Sequence, residues 1–156
     1  QNDGNLVIYW HGKAIWSSKA PAASHAEGVA IAWAKRYANA HNTSYNGACL
    51  RFVFEAYSAA GVNLRRWVGA PIGSNTYPVD IWGHFNHGRT GRGTPPYGAL
   101  VFWKAANGNR TLSHVALSLG RGRLVSTSDG VAGYTHYERV SQHRYAVYQG
   151  WWLPDR

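Results

Sequence analysis

Two hydrophobic periods occupy different stretches of this chain, and their order limits the fold more than any other feature. Cys49, Phe52, Val53, Ala56, Tyr57 and Ala60 fall at i, i+3, i+4, i+7, i+8 and i+11, which predicts a helix with one sustained apolar face. Gly61 follows as its stop signal. An earlier helix is expected over Glu27 to Ala40, with Val29, Ala32, Trp33 and Arg36 on one stripe, and a third, weaker one over Tyr77 to His87. After the Gly/Arg/Thr/Pro-rich stretch 88–96, which reads as loop, the period changes to that of strands. Ala99 to Trp103, Ser113 to Leu119, Arg123 to Thr127 and Tyr145 to Tyr148 are the expected strands, the second and third joined as a hairpin through Gly120-Arg121-Gly122. Helices first and strands afterwards argue for an α+β unit over residues 26–156.

A chain of 156 residues holds about one domain and can bury a core unaided. Its single cysteine rules out an internal disulfide and a cysteine-rich zinc site, and no cofactor is expected. No run of eighteen apolar residues is present, so no membrane span is expected. No basic segment with an apolar stretch opens the sequence, so any signal peptide is absent from it. Sixteen Lys and Arg against seven Asp and Glu give a net charge of +9. Such a surface favours polyanions, whether nucleic acid, anionic lipid or the teichoic acids of a cell wall, although a merely soluble basic surface accounts for it as well. Much of the charge is arginine in predicted loops (Arg89, Arg92, Arg110, Arg121, Arg123), and no nucleic-acid-binding motif accompanies it; a nucleic-acid partner is not expected.

The lone Cys49 falls in the first turn of the predicted second helix. Unpaired N–H groups and the positive end of the helix dipole stabilise a thiolate there, and they also favour the oxyanion of an acyl-transfer intermediate. A thiolate nucleophile needs a base, usually histidine. Of eight histidines, His114 alone opens a strongly apolar strand, Ser113-His-Val-Ala-Leu-Ser-Leu119, where a rigid scaffold would hold the ring. His84 and His87, three apart, lack a third ligand beside them for a metal. His41, His136 and His143 lie in polar, poorly periodic segments, and His11 and His25 in the amino-terminal part. The competing readings are a buried structural cysteine and a hydrogen-bonded histidine at a strand end.

The segment Tyr45-Asn-Gly-Ala-Cys49-Leu-Arg-Phe-Val53 resembles the cysteine helix of the NlpC-type papain-like cell-wall peptidases, with Ala60-Gly61 as its end. Tyr97-Gly98-Ala99-Leu-Val-Phe102-Trp is similar to the family's P-x-G-D-L-V-F-F strand, and Ser113-His114-Val-Ala-Leu-Ser-Leu-Gly120 to its x-H-V-G-I-Y-L-G strand. The motifs occur in the family's order over roughly residues 26 to 152. The family's Asp-Cys-Ser-Gly is here Ala48-Cys49-Leu50-Arg51, which leaves the related CHAP branch open. The resemblance implies a papain-like fold, amino-terminal helices on a small antiparallel sheet, with Cys49 as nucleophile and His114 as base. It implies a polar residue about twelve positions after the histidine to orient the ring, which is Ser126. Hairpin geometry leaves rivals: a three-residue turn puts Ser126 and Ser128 on the His114 face, a two-residue turn Thr127 and Asp129. Tyr45 would line the substrate groove, unless it simply packs.

Residues 1–18 alternate polar and apolar positions around Trp10-His11-Gly12, a hairpin signal, and residues 19–25 read as a linker. Gln1-x-Asp3-x-Asn5-x-Val7-x-Tyr9 resembles the mannose-binding motif of the monocot bulb lectins, which implies sugar contacts from Gln1, Asp3, Asn5, Val7 and Tyr9. Only half of one lectin subdomain is present, so the hairpin is expected to be the remnant of a longer lectin–peptidase chain. Together these features lead to the expectation of a secreted, wall-directed peptidoglycan hydrolase, lysin- or bacteriocin-like, acting on a stem peptide or cross-bridge. A mannose-binding protein with an inactive papain-like domain and a Cys-dependent acyltransferase are the other readings.

Overall fold

The computed structural model describes residues 7–10, 13–17, 22–127, 133–142 and 146–154. The apolar run after Ala48 forms helix α2, Cys49–Ala59, which buries Phe52, Val53, Phe54, Ala56 and Tyr57. It ends where glycine allows: Gly61 turns left-handed at φ +75°, its N–H bonds to the Ser58 carbonyl, and Val62 N–H reaches back to the Tyr57 carbonyl.

Helix α1, Ala22–Asn39, starts earlier than expected and takes in the last four residues assigned to the linker. Pro21 followed by two alanines explains this, because alanine is the strongest helix former and proline suits a helix start. Its buried face is Ala30, Ile31, Ala34 and Ala38 rather than the predicted stripe, which leaves Ala32 and Arg36 exposed. Small side chains allow α1 to lie close to α2, while Trp33 and Tyr37 reach past them to meet Tyr45 and Phe52. The expected third helix shrinks to α3, Pro78–Ile81. Gly83 at φ +85° turns the chain there, and His84 instead gives its carbonyl to Gly69 N–H.

The fold is α+β. Its sheet has six antiparallel strands in the order β3-β8-β4-β5-β6-β7: β3 Arg89–Gly91, β4 Leu100–Ala105, β5 His114–Gly120, β6 Arg123–Ser126, β7 His136–Arg139 and β8 Ala146–Leu153. The edges β3 and β7 were not legible in the sequence: both are short and polar, and only pairing to a neighbour makes them strands. Leu100, Phe102, Val115, Leu117 and Val125 share the core with the helices. Val101, Trp103, Ala116 and Leu124 form a second cluster on the other face, with Val140, Ala146, Tyr148 and Trp151 against it. The pleat divides the strands' apolar residues between these two clusters. Separately, β1 (Val7–Trp10) and β2 (Lys13–Ser17) pair as an antiparallel hairpin with Ile15 as an extra residue. Among the described residues no helix is long and apolar enough to cross a membrane.

Candidate active site

Cys49 is the first residue of α2 and is half-buried against the core. Its helix has Ala48 at the N-cap, a residue with no side-chain oxygen to offer the first-turn N–H groups. This breaks the usual capping preference at the very turn where a thiolate or oxyanion would want those donors.

The loop before Cys49 is held by Tyr45. The sequence offered Tyr45 as a groove residue; the structure puts it in the core instead, 5% exposed and packed edge-on against Trp33, Tyr37 and Phe52. Its hydroxyl donates to Glu55 Oε2, Arg51 lies 4.8 Å over its ring, and Arg51 Nη2 donates to the Ser44 carbonyl. Burial, then the Glu55 carboxylate, raises its hydroxyl pKa well above that of a free tyrosine. Tyr45 therefore fixes the entry to α2 and keeps its proton.

The strand β4 that begins the GxLVF segment is fixed by Gly98. Its φ of +84° excludes most side chains, and a Cβ would stand 2.5 Å from Glu27 Cγ. Tyr57 Oη donates to the Gly98 carbonyl at 2.7 Å, which ties α2 to the start of β4.

β4 carries β5, whose first residue is His114. The ring is 4% exposed, with Trp103 tilted beside it at 5.9 Å between centroids. The turn before it is clamped from α3: Arg110 grips Asp80 through Nε at 3.1 Å and Nη2 at 2.7 Å, and Ser113 Oγ donates to the Arg110 carbonyl at 2.6 Å. Arg110 holds the Asp80 carboxyl below its ordinary pKa, with help from Tyr77 N–H.

His114 Nε2 lies 2.7 Å from Ser126 Oγ in a buried contact. Ser126 Oγ also lies 3.2 Å from the Thr127 carbonyl oxygen. Donation of the hydroxyl proton there would leave Oγ to accept from Nε2–H, the tautomer in which Nδ1 is the basic nitrogen.

The choice among Ser126, Thr127 and Asp129 turns on one extra residue. The connection is a two-residue turn, Arg121 and Gly122, both with positive φ (+53° and +71°). Such a turn with unbroken pairing would bring Thr127 to the His114 face. Gly120 does pair with Arg123, but Ser118 pairs with Leu124 and Leu117 with Val125, so Leu119 is a bulge. The bulge shifts the register by one and returns Ser126 to the histidine's side. Thr127 is buried on the helix-facing side, with its hydroxyl lacking a hydrogen-bond partner, and Asp129 lies outside the described residues.

Placing His136 in a polar, poorly periodic segment hides a neighbour of Ser126. β7 pairs with β6 so that His136 stands directly opposite Ser126. Its Nδ1 donates to the Tyr134 carbonyl at 3.0 Å and its Nε2 lies 3.6 Å from Glu138 Oε2. The available signal was the period-two spacing of His136 and Glu138, masked by the shortness of the strand.

Of the remaining expected residues, Gln1, Asp3 and Asn5 lie outside the described residues, as do His11 and His143. Val7 and Tyr9 are in β1 as predicted from their alternation. Among the described residues no group of three or more His, Cys, Asp or Glu side chains is arranged to hold a metal. No protein-family model matches the sequence, and no curated protein matches it.

Proposed function

We propose that this chain is a papain-like cysteine hydrolase acting on peptide or amide bonds of the bacterial cell wall. The observation that carries the reading is the buried His114–Ser126 contact on β5 and β6, with α2, led by Cys49, packed against β5. The order of the three residues along the chain, and the motifs around them, resemble the NlpC-type peptidases.

His114 opens its strand and lies on the face away from the helices, in phase with Ala116 and Ser126. In this reading the ring has to reach the Cys49 sulfur round the start of β5 rather than across the sheet. His114 Nδ1 takes the Cys49 thiol proton, the thiolate attacks the scissile carbonyl to form the C–S bond, and the helix-start N–H of Cys49 takes charge from the oxyanion. His114 Nδ1 delivers the proton to the leaving amine as the C–N bond breaks. Water then attacks the thioester while Nδ1 accepts its proton; the C–S bond breaks, Nδ1 returns that proton to sulfur, and the carboxylic acid leaves to ionise in solvent. Ser126 keeps Nε2–H occupied throughout, so the ring presents Nδ1 to the reaction. As a neutral group it favours the imidazolium less than a carboxylate would.

The test is purified wall, from several wall chemistries, incubated with wild type and Cys49→Ala and read by mass spectrometry. Wild type should release fragments with new peptide termini and Cys49→Ala none. Absence of new termini with wild type on every wall would sink the reading, while the fragment masses would name the bond.

A further inference from the structure

The basic charge is not spread evenly, and one concentration of it is difficult to explain by folding alone. Arg123 on β6 and Arg139 on β7 are directly paired across the ladder, and both are exposed. Like charges directly opposite one another destabilise a strand pair. A single arginine on the edge strand β7 would suffice to discourage edge-to-edge association; a second one facing it adds repulsion.

Two further features lie beside this pair. The turn feeding β6 carries Arg121 in the left-handed region at φ +53°, where glycine or asparagine would be less strained. On the other side lies α1, whose direction along β7 follows from two hydrogen bonds. Thr135 N–H bonds to the Asn42 carbonyl at 2.8 Å, and Tyr137 Oη donates to Asn39 Oδ1 at 2.7 Å. Moving up β7 thus means moving back along α1, and continuing that direction by the rise of strand and helix sets the next same-face residue, Arg139, toward the level of Lys35 and Arg36. Both of those are exposed. Arg36 also answers the C-terminal end of the helix dipole, whereas Arg123 and Arg139 have no such local reason. Glu138, the acid of β7, is out of phase with Arg139 and lies near His136.

We infer that Arg121, Arg123, Arg139, Lys35 and Arg36 form a docking strip for an extended phosphodiester polymer, specifically the poly(polyol phosphate) of a bacterial wall. A small anion would need a concave, enclosing site; cations along an exposed edge suit a chain. Arginine forks match phosphate oxygens, and repeating phosphates relieve the repulsion between Arg123 and Arg139. Single-stranded nucleic acid would call for several stacking platforms. β7 supplies one such platform on this side, Tyr137, which is 42% exposed. The choice of polymer rests on the wall-hydrolase reading, whereas the strip itself does not.

The experiment is calorimetric titration of purified poly(glycerol phosphate) into the full chain at two salt concentrations. Wild type is compared with R123Q/R139Q and with R65Q/R66Q, which removes equal charge from the exposed turn after α2. The strip variant should weaken binding about tenfold or more and reduce the salt slope by about 2, and the control should change little. The strip variant should also melt no lower than wild type, since a repulsive pair is removed. Equal losses in the two variants, or no binding by wild type, would overturn the proposal. Tighter binding of single-stranded DNA, lost in the same strip variant, would replace the wall polymer with nucleic acid. Because the readout is binding, polymer capture by a chain that cuts no wall would refute the hydrolase reading alone. Wall cleavage without capture would refute only the strip.

Discussion

A single hydroxyl, that of Ser126, lies against Nε2 of the buried His114 ring. Ser126 is fully buried, with Oγ 2.7 Å from Nε2 and 3.2 Å from the Thr127 carbonyl oxygen. If the ring is the base, Ser126→Ala frees it to change tautomer or rotate without emptying the site. We expect kcat on wall fragments to fall about tenfold, or ~1.4 kcal/mol, the scale of one neutral hydrogen bond. Little change in KM should accompany it, because Ser126 makes no substrate contact in this scheme. An unchanged kcat would remove Ser126 from the mechanism. Tyr45 shows the opposite outcome: a residue four positions before Cys49 is occupied with packing, and its raised hydroxyl pKa reflects burial first and the Glu55 carboxylate second.

At the level of elements, two local preferences are broken on either side of the site. Helix α2 begins with an alanine cap, so Ala48→Ser should stabilise the chain by about 1 kcal/mol. In a chain of this size that raises Tm by roughly 2–4 °C in a thermal melt. The β5–β6 turn holds a left-handed arginine, and Arg121→Gly should likewise stabilise by about 1 kcal/mol, read by chemical denaturation. The same substitution should weaken capture of poly(glycerol phosphate), which separates relief of strain from the reason for tolerating it. A destabilised Arg121→Gly chain would show instead that the arginine supports the turn. The Leu119 bulge is a feature of another kind, and its effect is positional: one extra residue chooses which side of β6 faces His114.

Across the whole molecule, helices on one face of the sheet leave the His114 face to a second cluster built on Trp103, and the α3–β5 junction ties these layers together. The Asp80–Arg110 pair is the ionic part of that junction. Asp80 has a lower pKa folded than unfolded, so its contribution is fully present at neutral pH. As pH falls below about 4 the unfolded chain takes up the proton first, and stability is lost through the folded pKa. Arg110→Gln should therefore lower stability slightly at neutral pH, the exposure of the guanidinium keeping the loss small, and the difference from wild type should vanish as pH falls through the folded Asp80 pKa. Equal stability at neutral pH, followed by circular dichroism in denaturant, would show that the pair adds nothing to the junction.

The α+β class, the α2 helix with its glycine stop, the central strands and the prominence of Cys49 and His114 were legible from periodicity and composition. Each rests on local spacing, and local spacing follows directly from backbone geometry. The edges β3 and β7 were not, because a short polar strand exists only through its partner. The true start of α1 was hidden by a proline and small residues that read equally as linker. Ser126 stood among rivals in the sequence because a turn length does not reveal a bulge. Only pairing in three dimensions, with Leu119 set outside the ladder, decided that Ser126 and not Thr127 meets His114. Likewise, only the stacking of α1 against β7 gathered arginines and a lysine far apart in sequence into one strip, since charge count carries no position.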